Sequence, residues 1–225
     1  MKATTTLRHF ALVNFKADPV RLRSLIPHEF DLNRTEGGDT LVSAVPFQDT
    51  NFRFPWFPWI GFRFWQTNYR TYVVERGTGI RGVWFFGTDL GSPLAWIPRI
   101  AWSLPWFKAE YQTRMTDALY LILSKSKLSS SVFNFILSDE PSDLSPSDFE
   151  LLSNPIVGFY NRMDGEIGTY DIEHPPMKLT KAVSVFSRCT LFERLGLVDY
   201  GITPHSVYVA EPIEFKINLP PKVFR

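Results

Sequence analysis

The chain has little cysteine, little histidine, almost no net charge and no long apolar run, and each shortage excludes something. Its single cysteine, Cys189, cannot close an intramolecular disulfide or build a cysteine-rich zinc site, which fits a cytoplasmic setting. His9, His28, His174 and His205 show no metal-ligand spacing, and strand neighbours such as Glu173 and His174 point to opposite sides, so no metal is expected. With 24 Lys and Arg against 23 Asp and Glu, the chain offers no global field for nucleic acid. The most apolar stretch, residues 94–107, is interrupted by Pro98, Arg99 and Pro105 and falls short of the roughly 20 residues a spanning helix needs. Residues 1–10 lack the apolar core of a signal peptide, so neither a transmembrane segment nor secretion is expected. The Gly pair in Arg76-Gly77-Thr78-Gly79 lacks the lysine and helix start of a phosphate loop, and no Gly-x-Ser-x-Gly elbow occurs; no nucleotide or other cofactor is implied.

What is abundant is aromatic: Phe, Trp and Tyr make up 16% of the chain, and every tryptophan lies between Trp56 and Trp106. A chain of 225 residues buries about 70–75% of its unfolded surface and needs no staples. No repeat or heptad is present, and the polar stretch 139–147 is too short to separate two cores, so residues 1–225 read as a single domain.

Periodicity predicts strands over 8–15, 64–75, 80–88, 107–115, 118–124, 131–138, 181–188 and 206–218. Residues 30–33 and 40–48 read as a hairpin around Gly37-Gly38-Asp39, with Leu41, Ser43, Val45 and Phe47 on one face, and 156–162 with 166–173 as another around Asp164-Gly165. Short helices are signalled by Asp18-Pro19, by Ser92-Pro93 with Leu94, Ile97, Ala101 and Leu104, by the capping box Ser145 to Asp148, and by a segment ending at Gly196. Pro98 is expected to kink or shorten the second. Pro55 and Pro58 make the aromatic stretch 52–59 a loop that either roofs a barrel or meets a partner or membrane surface. The fold class is mainly β (α+β), an antiparallel barrel or sandwich with few helices, because βαβ alternation is missing.

Several segments together resemble one known family: residues 68–73 (Asn-Tyr-Arg-Thr-Tyr-Val), 82–86 (Gly-Val-Trp-Phe-Phe), 103–109 (Ser-Leu-Pro-Trp-Phe-Lys-Ala) and 173–179 (Glu-His-Pro-Pro-Met-Lys-Leu). Asp18-Pro19 with Leu22, Leu25, Ile26 and Pro27, and the run from Leu41 to Phe47, belong to the same pattern. The chain is similar in this to the YqjF-like family, a bacterial family of unknown function in the acetoacetate decarboxylase-like superfamily. The resemblance implies an antiparallel cone-like β-barrel with a ligand cavity and flanking short helices.

The superfamily's decarboxylases form a Schiff base through one of two adjacent lysines after an aromatic-proline pair. Here Leu104-Pro105 is followed by Trp106 and Phe107, so the resemblance implies that the lysine pair is absent. Lys108 stands just beyond, as a weak candidate amine, because side chains reverse at each strand position. Arg8 resembles by its spacing from Asp18 the superfamily's carboxylate-recognising arginine, and Arg70 falls where an acidic residue would stand. The expected ligand-binding residues are therefore Arg8, Arg70, Tyr69, Trp106 and Phe47. If Tyr69, Thr71 and Val73 share one face, Arg70 and Tyr72 share the other, and one face must be the cavity. The expected partner is a small apolar or carboxylated molecule. The alternatives are a divergent decarboxylase or lyase acting on a small keto acid, and an interaction protein using loop 52–59; homo-oligomerisation stays open.

Overall fold

The structure, a computed structural model, describes all residues except Phe57, Leu94 and Ala95, together with the side chains of Ile97 and Pro98. The described residues form fifteen strands and four short helices. The first strand is in fact two, β1 (Lys2–Arg8) and β2 (Ala11–Lys16), because the chain turns a corner at His9, whose φ is 55°. Helix α1 (Pro19–Leu25) starts as its cap signal implies: the Asp18 carboxylate accepts from the N–H groups of Val20 and Arg21. Strand β3 (Phe30–Leu32) does not form the expected hairpin with β4 (Leu41–Arg53). It pairs with β5 (Phe62–Glu75), Phe30 opposite Glu75, which lets the Phe30 ring pack on Trp84.

Strand β6 (Arg81–Leu90) is followed by α2 (Trp96–Trp102); of the apolar stripe expected for this helix, Leu94 and the Ile97 side chain lie outside the description, and Ala101 is exposed. Pro98 falls within α2, whose backbone runs on past it to Trp102. The meander β7 (Trp106–Met115), β8 (Leu119–Ser126) and β9 (Ser130–Pro141) is present as expected. In α3 (Pro146–Ser153) only half of the capping box forms: Ser145 Oγ accepts from Asp148 N–H, but the Asp148 carboxylate accepts from Glu36 N–H. The hairpin β10 (Val157–Asn161) and β11 (Ile167–Glu173) is followed by β12 (Leu179–Cys189) and α4 (Thr190–Arg194). The last long strand splits at Glu211-Pro212 into β13 (Ser206–Ala210) and β14 (Ile213–Asn218), before the short β15 (Lys222–Val223).

Strands β4, β5 and β6 form a wall whose outer edges each hold two partners in succession. β4 pairs with β2 over Leu41–Ala44 and with β1 over Gln48–Arg53. β6 pairs, in parallel, with β10 over Val83–Phe85 and with β7 over Thr88–Leu90. The sheet therefore closes on both sides of the wall. One circuit runs β4-β5-β6-β10-β11-β14-β1, the other β4-β5-β6-β7-β8-β9-β12-β13-β2. The pairing is antiparallel elsewhere, so the expected closed, mainly antiparallel sheet is present, with a second closure that strand patterning alone does not reveal.

Period-2 alternation sends the wall's side chains to two cores. Val42, Ala44, Tyr69, Val73 and Trp84 join β2, β9 and Phe192 of α4 in the larger one. Leu41, Val45, Phe47, Tyr72, Val83 and Phe85 join the smaller circuit. In that circuit two glycines lie beneath tyrosines of the neighbouring strand: Gly158 is opposite Tyr170, and Gly168 opposite Tyr160. A Cβ on Gly168 would come within 2.3 Å of the Tyr160 ring, which is fully buried and donates its hydroxyl to the Trp102 carbonyl of α2. Gly168→Ala is expected to lower stability by about 1–3 kcal/mol, read by urea unfolding, because the ring has no room to withdraw.

Candidate functional site

The smaller circuit is not filled by its side chains. It leaves a cavity with about 80 Å³ of room for the centres of water-sized molecules, lined from β1 by Leu7, from β4 by Phe47, from β14 by Phe215, and from beyond the strands by Trp102 and Leu104. The lining is largely apolar, and much of it comes from the aromatic-rich middle of the chain. Its polar groups come chiefly from one face of the wall: Asp49 on β4, and Gln66, Asn68 and Arg70 on β5. The even spacing of 66, 68 and 70 puts all three on the cavity side of one strand. Gln66 Nε2 donates to Asn68 Oδ1 at 2.8 Å, and Thr88 Oγ1 donates to the same oxygen at 3.0 Å, so this strip is held in one orientation.

Arg70 stands at one end, 5% exposed. Its Nη2 donates to the Leu152 carbonyl near the end of α3 at 3.1 Å, and its guanidinium carbon lies 5.5 Å from the Tyr72 ring centre. Its Nε finds no protein acceptor, and no carboxylate among the described residues lies within ion-pair distance of it. Burying a guanidinium without an anion is unfavourable unless something occupies its donors. Around it stand neutral groups. Burial, and to a lesser degree the neighbouring Tyr160 hydroxyl, push the Tyr170 hydroxyl far above its ordinary value, against the opposing effect of the Arg70 charge. His174, stacked on Phe215 at 4.6 Å, is held below its ordinary value by burial and by the charge of Arg70. With His174 Nδ1 donating to the Pro175 carbonyl at 2.8 Å, the buried Nε2 is left as an acceptor without a protein partner.

Asp49 stands toward the other end of the wall, six positions along β4 from Ser43, the residue opposite Arg70. It is 3% exposed; Oδ1 accepts from Thr5 Oγ1 at 2.9 Å and Oδ2 has no protein partner. Burial pushes its carboxyl up to about 7, against the opposing effect of the Thr5 hydroxyl. The site thus pairs a fixed cation at one end with an acid that titrates near neutrality at the other.

Of the residues expected from sequence, Arg70, Phe47 and Trp106 line this cavity together. Trp106 faces into it while Phe107 packs with the larger core, so neither position offers an amine. Lys108 is exposed and does not line the cavity. Arg8 is exposed too: Ala3, Thr5 and Leu7 take the inward face of β1, and alternation turns Arg8 outward. Tyr69 is fully buried on the far side of the wall, where its hydroxyl donates to Asp89 Oδ2 at 2.9 Å and lies 3.0 Å from Ser131 Oγ. The expectation that Arg8 and Tyr69 line the cavity with Arg70 is therefore corrected by the same two-residue period that brings Arg70 in. Sequence reading missed Asp49, Gln66 and Asn68. Extending the face of Val45 and Phe47 by one period would have found Asp49.

A cavity walled by strands, with short helices at its ends, defines a class: the chain has the acetoacetate decarboxylase-like fold. It matches over 100% of its length, and covers 88% of, the acetoacetate decarboxylase of Legionella pneumophila, at a TM-score of 0.66 and 14% identity. An acetoacetate decarboxylase-like enzyme from Sphingomonas wittichii RW1 matches with a TM-score of 0.65 and 10% identity, covering 100% of this chain and 92% of that one. The enduracididine biosynthesis enzyme MppR, solved in complex with pyruvate, matches at 0.57 and 9% identity over 99% and 89% of the two chains. At these identities the likeness is one of fold. Within that fold, residues 4–214 match DUF2071, described as an uncharacterized conserved protein (COG2071), and the chain belongs to that family. No curated protein matches the sequence.

Proposed function

We propose that the cavity binds a small carboxylated molecule, its carboxylate on Arg70 and its apolar part against Phe47, Phe85 and Trp106. The observation behind this is the buried Arg70 guanidinium, with an Nε that lacks an acceptor and no carboxylate beside it. A carboxylate would accept from Nε and neutralise the charge in one step. The pyruvate complex of the like-folded MppR is consistent with a small keto acid as occupant.

Binding proceeds without a Schiff base in this reading, since no lysine lines the cavity among the described residues. Isothermal titration against a panel of keto acids and aromatic acids tests the binding, and silence across the panel would count decisively against it. A second reading, decarboxylation or lyase chemistry, draws support from Asp49, a buried acid on the cavity wall whose carboxyl burial pushes up to about 7, and in that reading Asp49 supplies the proton taken up by the carbanion. Borohydride reduction in the presence of pyruvate, followed by mass spectrometry, is expected to leave every lysine unmodified. A trapped adduct would restore amine catalysis.

A further inference from the structure

Three of the seven tryptophans stand out into solvent: Trp56 is 43% exposed, Trp59 72% and Trp96 58%, and Ile60 and Ile100 stand out with them at 43% and 72%. They belong to two segments distant in sequence, the β4–β5 connection and α2, which meet where Trp56 stacks on Trp102 at 6.1 Å. The inner side of the same two segments is functional surface, for Phe54 and Trp102 line the cavity. A cluster of exposed tryptophan and isoleucine is a poor surface for water and a good one for a bilayer interface, where indole rings settle at headgroup depth.

The charges point the same way. Residues 51–65 and 91–108 hold Arg53, Arg63, Arg99 and Lys108 and no Asp or Glu, in a chain whose total charge is +1. None of these four cations is engaged in an ion pair among the described residues; Arg53 donates to Asn51 and the Pro58 carbonyl, and Arg99 lies over the Phe107 ring. A second copy of the chain laid on this face would bring like charges together with no acid to relieve them. We propose that this rim docks on an anionic lipid surface, with Trp56, Trp59, Trp96, Ile60 and Ile100 entering the interface and the arginines against the headgroups. The cavity's Phe54–Trp102 end then lies next to the bilayer, whatever the cavity holds.

Flotation with vesicles of about 30% phosphatidylglycerol in phosphatidylcholine tests this, with pure phosphatidylcholine and high salt as controls. The protein is expected to float with the anionic vesicles and to bind the controls at least about tenfold more weakly. Combining Trp56→Ser, Trp59→Ser and Trp96→Ser is expected to reduce partitioning by more than about tenfold, with far-UV circular dichroism at the assay temperature confirming that the variant is folded. Quenching of wild-type tryptophan fluorescence by brominated lipid gives a second readout that needs no variant. Absence of flotation, or flotation that survives the serine substitutions with no quenching, overturns the proposal. So does a concentration-dependent dimer, seen by light scattering, that the same substitutions dissolve while vesicles are ignored.

Discussion

Asp49→Asn is expected to make the protein more stable at pH 8, by up to about 4 kcal/mol, and to flatten part of its stability profile between about pH 4 and pH 7. The folded carboxyl is raised from its ordinary 3.8 to about 7 by burial, so its sign is opposite to that of a paired carboxylate. Below about pH 4 the group is protonated in both folded and unfolded chains and contributes nothing. Between 4 and 7 the folded chain keeps a proton that the unfolded chain has released, and stability falls as pH rises. Above 7 the deficit is complete, because the folded chain must then hold a buried anion whose Oδ2 has no partner. Asparagine keeps the shape and discards the charge. Asp89, pushed up to about 6 by burial, has the same sign, whereas Asp143 and Asp164 are lowered by their hydrogen bonds to Lys181 and Arg162 and have the opposite one. The difference between wild type and variant, followed by urea unfolding across pH, isolates Asp49. Parallel profiles would mean that the Asp49 carboxyl reaches solvent.

Arg70→Met is expected to weaken carboxylate binding by about 10- to 100-fold while leaving stability unchanged or higher, the loss being that of a charge-assisted hydrogen bond. Stability does not suffer because methionine fills the same apolar volume without a guanidinium whose Nε is unpaired. Arg70→Lys keeps the charge but not the fork, and is expected to fall between the two. Titration calorimetry paired with thermal melting separates the roles. If Arg70 served only to hold the Leu152 carbonyl at the end of α3, the methionine variant would melt earlier and bind as well as wild type.

How much of this could be read in advance differs from element to element. Asp18-Pro19, Ser145-Pro146 and Asp164-Gly165 announced two helix starts and a hairpin, since caps and tight turns are satisfied within a few residues. Alternation separated Tyr69 from Arg70 but could not say which of them met the cavity. The partner of β3 was misjudged for a related reason: Phe30 lies near β4 in sequence, yet its place opposite Glu75 is set by packing against Trp84. Asp49 was passed over because the strand runs beyond its expected end at residue 48 to Arg53.

The sequence by itself determined a mainly β chain with short capped helices, an aromatic concentration between Trp56 and Trp106, and an aromatic pair, Trp106-Phe107, directly after Leu104-Pro105. Only the tertiary structure decided that the sheet closes on both sides of β4–β5–β6, that the cavity lies on the Arg70 face, and that Asp49 is sealed within it. The reason is range. Caps, turns and alternation depend on neighbours along the chain, whereas the burial of Asp49 depends on Thr5, and the setting of Arg70 on Leu152, partners that only closure of the sheet brings within reach.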